Sequence, residues 1–551
     1  MPDQTSAIET TPSTTIPPQR ADAPEVEVEV DLAQDETTDT AEVTDDAETP
    51  SVPEGSGDSD GASGGSEATG SWGDRAIQAV RDHISRRYEA WVIGAALTVV
   101  YLIDSIAKYE RNGSQVYDLG LFTAVIRQYS LFHAPDVYFD WATVNELGEH
   151  FAPVIALLGP VFRVFPSPVT LLVCQALLVG ASAIALTMTA ADWIGRTAGG
   201  AVGLAYGLSF GVIGAIDFDF HEVAFAPLFT VMALRKLTQR RFWAAAAWAV
   251  CLVTVKEEMG AGVIAPIGVA MFCYGARRLG AGLAVFGAGS SYALVKWIIP
   301  AINTERHIYA FTQTNPLTAG GDPVTAVLHG LTGDASAKSL LLFLLVATSG
   351  LVALRSPLVL LTLPDLVTRL SSSRADYFST AFQYNLVIMP LLFLATADGV
   401  RRLRGSKVPL GRMLHQGGAF AALTATIALI PYFGLGAFRT WNDPTAMDSR
   451  IAGLNAAYAA VPHDVTVEAS SKLFPELAAH DTMYWVEMPD KTPPPWIAYD
   501  QEDGVANTPN TSAGALARAA RAHPGAAYAV VFAQDGFYVL REIPKRATGK
   551  A

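Results

Sequence analysis

Acidic and histidine side chains crowd into one short stretch, IDFDFHEV, that lies between two apolar runs. They are Asp217, Asp219, His221 and Glu222. Such side chains can hold a divalent cation, or act as a base and its orienting partner around a hydroxyl. Asp217 and Asp219 alternate with phenylalanine, so in an extended segment both carboxylates would point the same way. A metal site here would use Asp217, Asp219 and His221, with Mg²⁺ or Mn²⁺ as the candidate ion. A polar helix cap between two spans is the alternative.

Two further groups of ionisable residues lie next to apolar runs. Residues 117–150 interleave acidic and histidine side chains, among them Asp118 and His150, with aromatics, which suits a segment with one wet and one apolar face at a membrane surface. The second group is the run KEE at 256–258. Lys256 is a candidate for pairing with a substrate phosphate, and an ion pair with Glu257 or Glu258 is the alternative. Charged groups at the edge of hydrocarbon are costly, so they are functional candidates unless they are simply solvated there.

The composition places the chain in a membrane. Its 551 residues are 50% apolar and only 17% charged, with a mean hydropathy of +0.27. The net charge of −15 belongs to the first 70 residues, where 18 acidic residues and one arginine give −17 and leave about +2 for the rest. No basic face remains, which excludes a nucleic-acid partner. The three cysteines lie inside apolar runs, so we expect no disulfide.

Basic residues fix how the apolar runs cross the membrane. Arg86 and Arg87 are the last of four arginines before the first run, and the positive-inside rule keeps that end in the cytoplasm. We predict an all-α polytopic domain over residues 90–437 with about eleven transmembrane helices and a large first outer loop at 108–166. The apolar part of that loop is short and contains prolines, so we interpret it as a re-entrant or interfacial helix. The candidate site residues then collect at the outer face.

The two ends of the chain differ from this membrane domain. Residues 1–72 are rich in Pro, Thr, Ser, Gly, Asp and Glu, and they predict a disordered, acidic cytoplasmic tail. Residues 438–551 contain alternating or β-branched runs between Pro- and Gly-rich turns, and one helical run. We predict a small extracytoplasmic α/β or α+β domain there, so that the carboxyl end lies outside the cell membrane.

Several motifs together resemble a bacterial family of predicted membrane proteins, domain of unknown function 2079 (DUF2079). They are YDLGLF, GEHFAPVIALLGPVFRVFPSPVTLLVCQA, DFDFHE, KEE and a late QYN, and the resemblance covers about residues 90–500. That family is similar to the C-type (GT-C) glycosyltransferases, multispan enzymes that use polyprenyl-phosphate sugars. In those enzymes an acidic residue follows the first span, and Asp118 matches that position. Asp219, His221 and Glu222 match the family's acidic and histidine motif.

The resemblance implies an integral membrane glycosyltransferase that works on the outer face. Its partners would be membrane lipids, a polyprenyl-phosphate sugar donor, and a glycan, lipid or protein acceptor. Asp118 would act as the general base, with His150, Asp219, His221 and Glu222 as further catalytic candidates and Lys256 at the leaving phosphate. A transporter or flippase of a lipid-linked or small polar substrate is the main alternative, and a membrane scaffold or sensor is a third. Few charges lie in the middle of the predicted spans, which favours the enzyme.

Overall fold

The computed structural model describes residues 87–114, 116–139, 142–303, 328, 330, 332–433, 449–486, 492–503 and 509–544. The prediction of a disordered tail at 1–72 lies outside these residues. Most of the described chain is helical, and a small sheet lies in the carboxyl-terminal part.

Five helices of the described chain are long and apolar enough to cross a membrane. They are Tyr88–Glu110, Pro168–Ile194, Arg196–Asp217, Arg277–Ile302 and Pro409–Phe433. The Arg196–Asp217 segment consists of two helical pieces, and a π-helical turn interrupts Arg277–Ile302. The protein is therefore a multi-pass membrane protein, but the predicted number of eleven spans is not confirmed.

The other apolar runs form shorter helices because the sequence interrupts them. In four of these shorter helices proline occupies the first turn, where its missing N–H is tolerated. A 3₁₀ or π turn precedes each of the four. Those four are Ala226–Thr238, Ala265–Cys273, Leu363–Leu370 and Met389–Arg402. Two other short helices of this part of the chain are Phe242–Val250 and Ala335–Thr348. The apolar runs at these positions thus form broken helical segments.

The Pro168–Ile194 helix lies at the centre of the helical domain. It packs against Tyr88–Glu110, Arg196–Gly207, Ala226–Thr238 and Met389–Arg402. Met389–Arg402 is buried along almost its whole length, so it contributes side chains to the core on all sides. The helix ends on one edge of this bundle carry the candidate site residues, which the apolar packing between the helices holds in place.

Two later helices approach each other through glycine. A Cβ atom on Gly280 would lie 2.4 Å from the backbone nitrogen of Phe272 and 2.7 Å from the carbonyl oxygen of Gly268. The obstacle is backbone, which cannot rotate away, so helices Ala265–Cys273 and Arg277–Ala293 require glycine at this crossing.

We expect Gly280→Ala to destabilise the protein by about 1–3 kcal/mol, the usual cost of overpacking a core. The measurement is the apparent melting temperature of the full-length protein in detergent. Gly282→Ala on the same helix is the matched control, because no atom of another described segment lies within 4 Å of its Cβ position. Equal melting temperatures for the two variants would contradict the close backbone contact.

The segment after the first helix folds as short elements. A π-helical turn, Val116–Gly120, leads into the helix Leu121–Ser130, and strands β1 (Asp136–Phe139) and β2 (Ala142–Asn145) form an antiparallel pair. The apolar part of this loop forms the 3₁₀ segment Pro153–Leu158 followed by the helix Gly159–Val164. At a rise of about 2.0 Å per residue in the 3₁₀ segment and 1.5 Å in the helix, the two together span about 21 Å, which is too short to cross a membrane.

The carboxyl-terminal part contains a five-stranded mixed sheet. Its strands are β3 (Thr466–Ala469), β4 (Thr482–Trp485), β5 (Trp496–Asp500), β6 (Tyr528–Gln534) and β7 (Phe537–Glu542). Their order is β4-β3-β5-β7-β6, with β3 parallel to both β4 and β5, and β7 antiparallel to its two neighbours. Helices Ile451–Ala460, Phe474–Ala478 and Ser512–Ala522 accompany the sheet. Each strand falls within a run that the sequence predicts as β.

The sheet domain contacts the loop that follows the first helix. The Arg127 guanidinium donates to the carbonyl oxygen of His480 at 2.8 Å, and the rings of Tyr138 and Tyr484 lie 4.8 Å apart. The helix Phe474–Ala478 packs against the π-helical turn Val116–Gly120. The carboxyl-terminal domain thus supports the turn that carries Asp118.

Candidate active site

Asp118 and His221 form the centre of the candidate site. The Oδ1 atom of Asp118 lies 2.7 Å from Nε2 of His221. The Oε1 atom of Gln175 accepts a hydrogen bond from the backbone N–H of His221 at 2.9 Å, and the Phe218 ring stacks on the imidazole with centroids 5.2 Å apart. The imidazole is therefore held from its backbone and from one face, with its second nitrogen aimed at the carboxylate.

The backbone at this site adopts an uncommon conformation twice. Asp118 has φ +64° inside a π-helical turn, and Asp219 has φ +71°. Left-handed backbone is unfavourable for side chains other than glycine, although aspartate tolerates it better than most, and such residues concentrate at functional sites. Single π-helical turns also occur frequently at functional sites. The two conformations turn both aspartates towards one cavity.

Asp219 is fixed by groups from the first helix and the turn after it. Its Oδ1 atom lies 3.0 Å from Nζ of Lys108 and accepts a hydrogen bond of 3.0 Å from the Ser114 hydroxyl. Lys108 also donates to the backbone oxygen of Asp217 at 2.5 Å. The segment is not extended as the alternation with phenylalanine predicts, because the helix continues to Asp217 and the chain then turns. The expectation that both carboxylates point one way from an extended strand is therefore wrong.

A cavity of about 420 Å³ opens beside these residues. It combines cations, carboxylates and aromatic rings in a space of a size that ordinary ligands occupy. Its lining residues are Lys108, Gly113, Asp118, Phe218, Asp219, Arg374, Asp376, Phe382, Gln383 and Tyr384. The cavity can therefore receive a ligand that carries both an anionic group and hydroxyl groups.

The far wall of the cavity comes from the segment that precedes the Met389–Arg402 helix. The buried Arg369 guanidinium donates to Oδ1 of Asn385 at 2.7 Å and to the carbonyl oxygen of Tyr377 at 2.7 Å. These bonds fix the QYN motif, so that Gln383 and Tyr384 face the cavity while Asn385 is buried. Arg374, which lies 3.2 Å from Asp376, brings a second cation to this wall.

A buried group of charges lies near this site. Nζ of Lys256 is 2.8 Å from Oε1 of Glu222, and both side chains are almost fully buried. The Nδ1 atom of His150 lies 3.0 Å from Oε1 of Glu257, whose other oxygen accepts the backbone N–H of Phe151 at 3.1 Å. Lys256 thus pairs with Glu222, a partner that the sequence did not predict. It does not line the cavity of about 420 Å³, where Lys108 and Arg374 are the cations instead.

The described residues show no group of three or more His, Cys, Asp or Glu side chains arranged to hold a metal ion. Of the three predicted ligands, Asp219 faces Lys108 and Ser114, while His221 faces Asp118. The structure therefore does not bring Asp217, Asp219 and His221 together as a ligand set.

Charge stabilises the Asp118 and His221 pair. Burial opposes the charged form of His221, but the Asp118 carboxylate outweighs it, so the pKa of the imidazole is raised above its ordinary value. A protonated His221 beside an ionised Asp118 is a charge-assisted pair. The pairing thereby orients the Asp118 carboxylate.

Glu146 is a buried carboxyl that sequence reasoning did not assign to the site. It is 2% exposed, and among the described residues its Oε2 atom has no hydrogen-bond partner. Burial raises the pKa of Glu146 to about 8, with Glu222 and Glu149 raising it further and His150 and Lys256 lowering it. At neutral pH the folded protein therefore holds Glu146 mainly in its protonated form.

This protonation predicts a dependence of stability on pH. The carboxyl ionises near its ordinary pKa of 4.5 in the unfolded chain and near 8 in the folded protein, so unfolding between these pH values releases a proton. The contribution is greatest below pH 4.5 and declines up to pH 8, by about 1.4 kcal/mol per pH unit. Melting curves from pH 5 to 8 should lose this slope in Glu146→Gln and keep it in the exposed control Glu110→Gln. An unchanged slope in Glu146→Gln would contradict the buried neutral carboxyl.

The fold and the cavity together define a helical multi-pass membrane protein with a charged cavity at the ends of its spans and a small carboxyl-terminal sheet region. The chain belongs to the family of predicted membrane proteins DUF2079, whose model matches residues 113–538, and the resemblance stated from the motifs is confirmed. It is also similar to a crystal structure of ArnT from Cupriavidus metallidurans bound to undecaprenyl phosphate, with 13% sequence identity and a TM-score of 0.49. That likeness covers 82% of this chain and 97% of the ArnT chain. No curated protein matches the sequence.

Sequence reasoning missed most of the residues that line the cavity, among them Lys108, Arg374 and Tyr384. Lys108 lies within the last turn of the first span and reads as an interfacial anchor. Arg374 belongs to a loop that carries no motif. Tyr384 is part of the QYN motif, and that motif was the one sequence signal for this wall of the cavity. Polar residues next to a long apolar run are costly to place at the edge of the membrane, which makes them functional candidates. The described structure brings Asp118, Asp219 and these three residues to the same cavity.

Proposed function

We propose that this protein is a glycosyltransferase that takes a sugar from a polyprenyl-phosphate donor at the outer face of the membrane. The observation that carries the proposal is the cavity in which the Asp118 carboxylate, held by His221, shares its walls with the cations Lys108 and Arg374. A base and a phosphate-binding pair in one cavity at the ends of membrane helices suit a donor that enters from the bilayer. The resemblance of the motifs to the GT-C enzymes points to the same reaction class.

The proposed reaction is a displacement at the anomeric carbon of the sugar. The acceptor hydroxyl oxygen forms the new bond to that carbon as the bond from carbon to the phosphate oxygen breaks. The hydroxyl proton passes to the Asp118 carboxylate, and the electron pair of the broken bond stays on the leaving polyprenyl phosphate. Lys108 and Arg374 stabilise that phosphate, the role that the family resemblance implies for Lys256.

The other candidate residues have supporting roles in this proposal. His221 orients Asp118, and Asp219 orients Lys108 through their 3.0 Å contact. The pairs of Glu222 with Lys256 and of His150 with Glu257 support the segments that carry them. The demand on the protein is mainly positioning, since the leaving phosphate already stabilises its own charge.

A second cavity, of about 380 Å³, suits the acceptor. Asn112 and Ser114 line it, while Gly113 between them lines the first cavity. Its far side comes from the carboxyl-terminal domain, including Tyr458 and Glu476. Aromatic rings together with amide and carboxylate groups are suited to hydroxyl-rich ligands, because they offer both an apolar face and hydrogen-bond partners. We assign the acceptor glycan, lipid or protein to this side.

The proposal is tested with the purified full-length protein in proteoliposomes. Undecaprenyl-phosphate-linked hexose and pentose are supplied as donors, and the release of undecaprenyl phosphate is measured with and without an extract of envelope glycans. We expect release that depends on the protein and increases with the acceptor. Donor binding without any turnover, for both sugars and with the extract present, would contradict an enzyme and favour a transporter or flippase.

The proposed orientation places the amino end in the cytoplasm and the cavity outside. We expect Ser373→Cys, in the exposed loop beside the cavity, to react with an impermeant thiol reagent in whole cells. Lys407→Cys, in the exposed basic turn before Pro409–Phe433, should react only after the membrane is opened. The background carries serine at all three native cysteines. Labelling of Lys407→Cys in intact cells would reverse the orientation.

A further inference from the structure

The largest of the cavities described here lies at the opposite end of the helices from the candidate active site. It has a volume of about 820 Å³ and is lined by Trp91 near the start of the first helix, whereas Lys108 lies in the last turn of that helix. Seventeen residues of helix correspond to about 26 Å, close to the thickness of the hydrocarbon core. The cavity therefore lies near the other edge of the membrane, and no step of the proposed reaction uses it.

The walls of this cavity are mainly apolar. Ile184, Ala185 and Met188 come from the Pro168–Ile194 helix, and Met232 comes from the Ala226–Thr238 helix. Trp91 is 37% exposed, which suits an aromatic side chain at the boundary between hydrocarbon and head groups. A hydrocarbon chain is the ligand that such walls accommodate best.

One end of the cavity is cationic. Arg235, Lys236 and Arg241 all line it. Arg235 is neutralised, because its guanidinium lies 3.0 Å from Oδ2 of Asp192 and donates to Thr189 at 3.1 Å. Lys236 and Arg241 form no ion pair within the part of the chain that the structure describes. Within the described chain the cavity thus ends in two positive charges that form no ion pair of their own.

We propose that this cavity binds an anionic membrane lipid. The acyl chain lies between Ile184, Met188 and Met232, and the phosphate lies at Lys236 and Arg241. Charge complementarity selects the anionic head group, since a zwitterionic head group brings its own cation to the same two side chains. The volume of about 820 Å³ lies within the range of small-molecule sites. The site is independent of the proposed transferase activity.

Native mass spectrometry of the full-length protein tests the proposal. The protein is reconstituted with equal amounts of phosphatidylglycerol and phosphatidylcholine that carry identical acyl chains, and is then released from detergent. We expect the wild-type protein to retain phosphatidylglycerol in preference to phosphatidylcholine. The preference should fall on the order of tenfold in the double variant Lys236→Gln, Arg241→Gln, since each cation near an anionic head group contributes to binding.

Two further variants keep the test decisive. Arg277→Gln, Arg278→Gln removes two exposed arginines that do not line the cavity and should leave lipid retention unchanged. Met188→Trp fills the apolar part and should lower retention of both lipids. Equal loss in the Arg277 and Arg278 control, or no preference in the wild-type protein, would overturn the site. The proposed site would also be overturned if the protein retained phosphatidylglycerol only after residues 1–86 had been removed. The occupant of the cavity would then be the chain's own amino-terminal segment.

Discussion

Replacement of Asp118 by asparagine is expected to lower sugar transfer on the order of 10²- to 10⁴-fold, the usual contribution of a general base. The substitution keeps the size of the side chain and leaves an oxygen near Nε2 of His221, which lies 2.7 Å from Oδ1 in the native protein. It removes the negative charge that accepts the acceptor's proton. The measurement is the release of undecaprenyl phosphate in proteoliposomes with matched amounts of folded protein.

The control for this substitution is Asp136→Asn, which neutralises an exposed aspartate in the same loop after the first helix and should leave transfer unchanged. His221→Ala should also reduce transfer, because it frees the carboxylate to rotate out of position. The double variant Asp118→Asn, Asp219→Asn should lose much less than the product of the two single losses, since residues that act as one unit are not additive. Sugar transfer by Asp118→Asn at the wild-type rate would contradict the catalytic role of Asp118 and favour the transporter or scaffold.

The second large effect is expected on the stability of the folded protein when Lys256 is replaced. In the native protein Nζ of Lys256 lies 2.8 Å from Oε1 of Glu222, and Glu222 is only 1% exposed. Lys256→Met removes this cation and leaves the Glu222 carboxylate buried without it. Breaking one side of a buried ion pair costs about 3–5 kcal/mol, because the remaining charge loses its compensation. We expect a large fall in the apparent melting temperature in detergent and less protein in the membrane.

The double variant Lys256→Met, Glu222→Gln separates an ion pair from a substrate contact. With both charges removed no uncompensated charge remains, so most of the stability should return. Lys407→Met, at an exposed position, is the control and should change stability little. If Lys256→Met kept its melting temperature but lost transfer, Lys256 would contact the substrate, as the sequence first indicated.

The sequence by itself determined the kind of protein and the segments that carry the site. Hydropathy and charge identified a helical membrane protein, because the bilayer requires long apolar helices and tolerates charges only at their ends. The motifs identified the family over most of the chain. The β-branched runs after residue 438 predicted the strands, since alternation is a local property of the chain.

Tertiary structure alone decided which ionisable groups face each other. Lys256 pairs with Glu222 across 34 positions, His221 with Asp118 across 103 and Asp219 with Lys108 across 111. Local pattern carries no information about such contacts, so it offered Lys256 only a substrate phosphate or its sequence neighbours Glu257 and Glu258 as partners. Hydropathy also could not show which apolar runs form continuous helices, because a window of apolar residues does not register where proline and 3₁₀ turns break a helix. The cavity exists only because helix packing brings Lys108, Asp118, Arg374 and Tyr384 to one edge of the bundle, and that packing depends on contacts far apart in the chain.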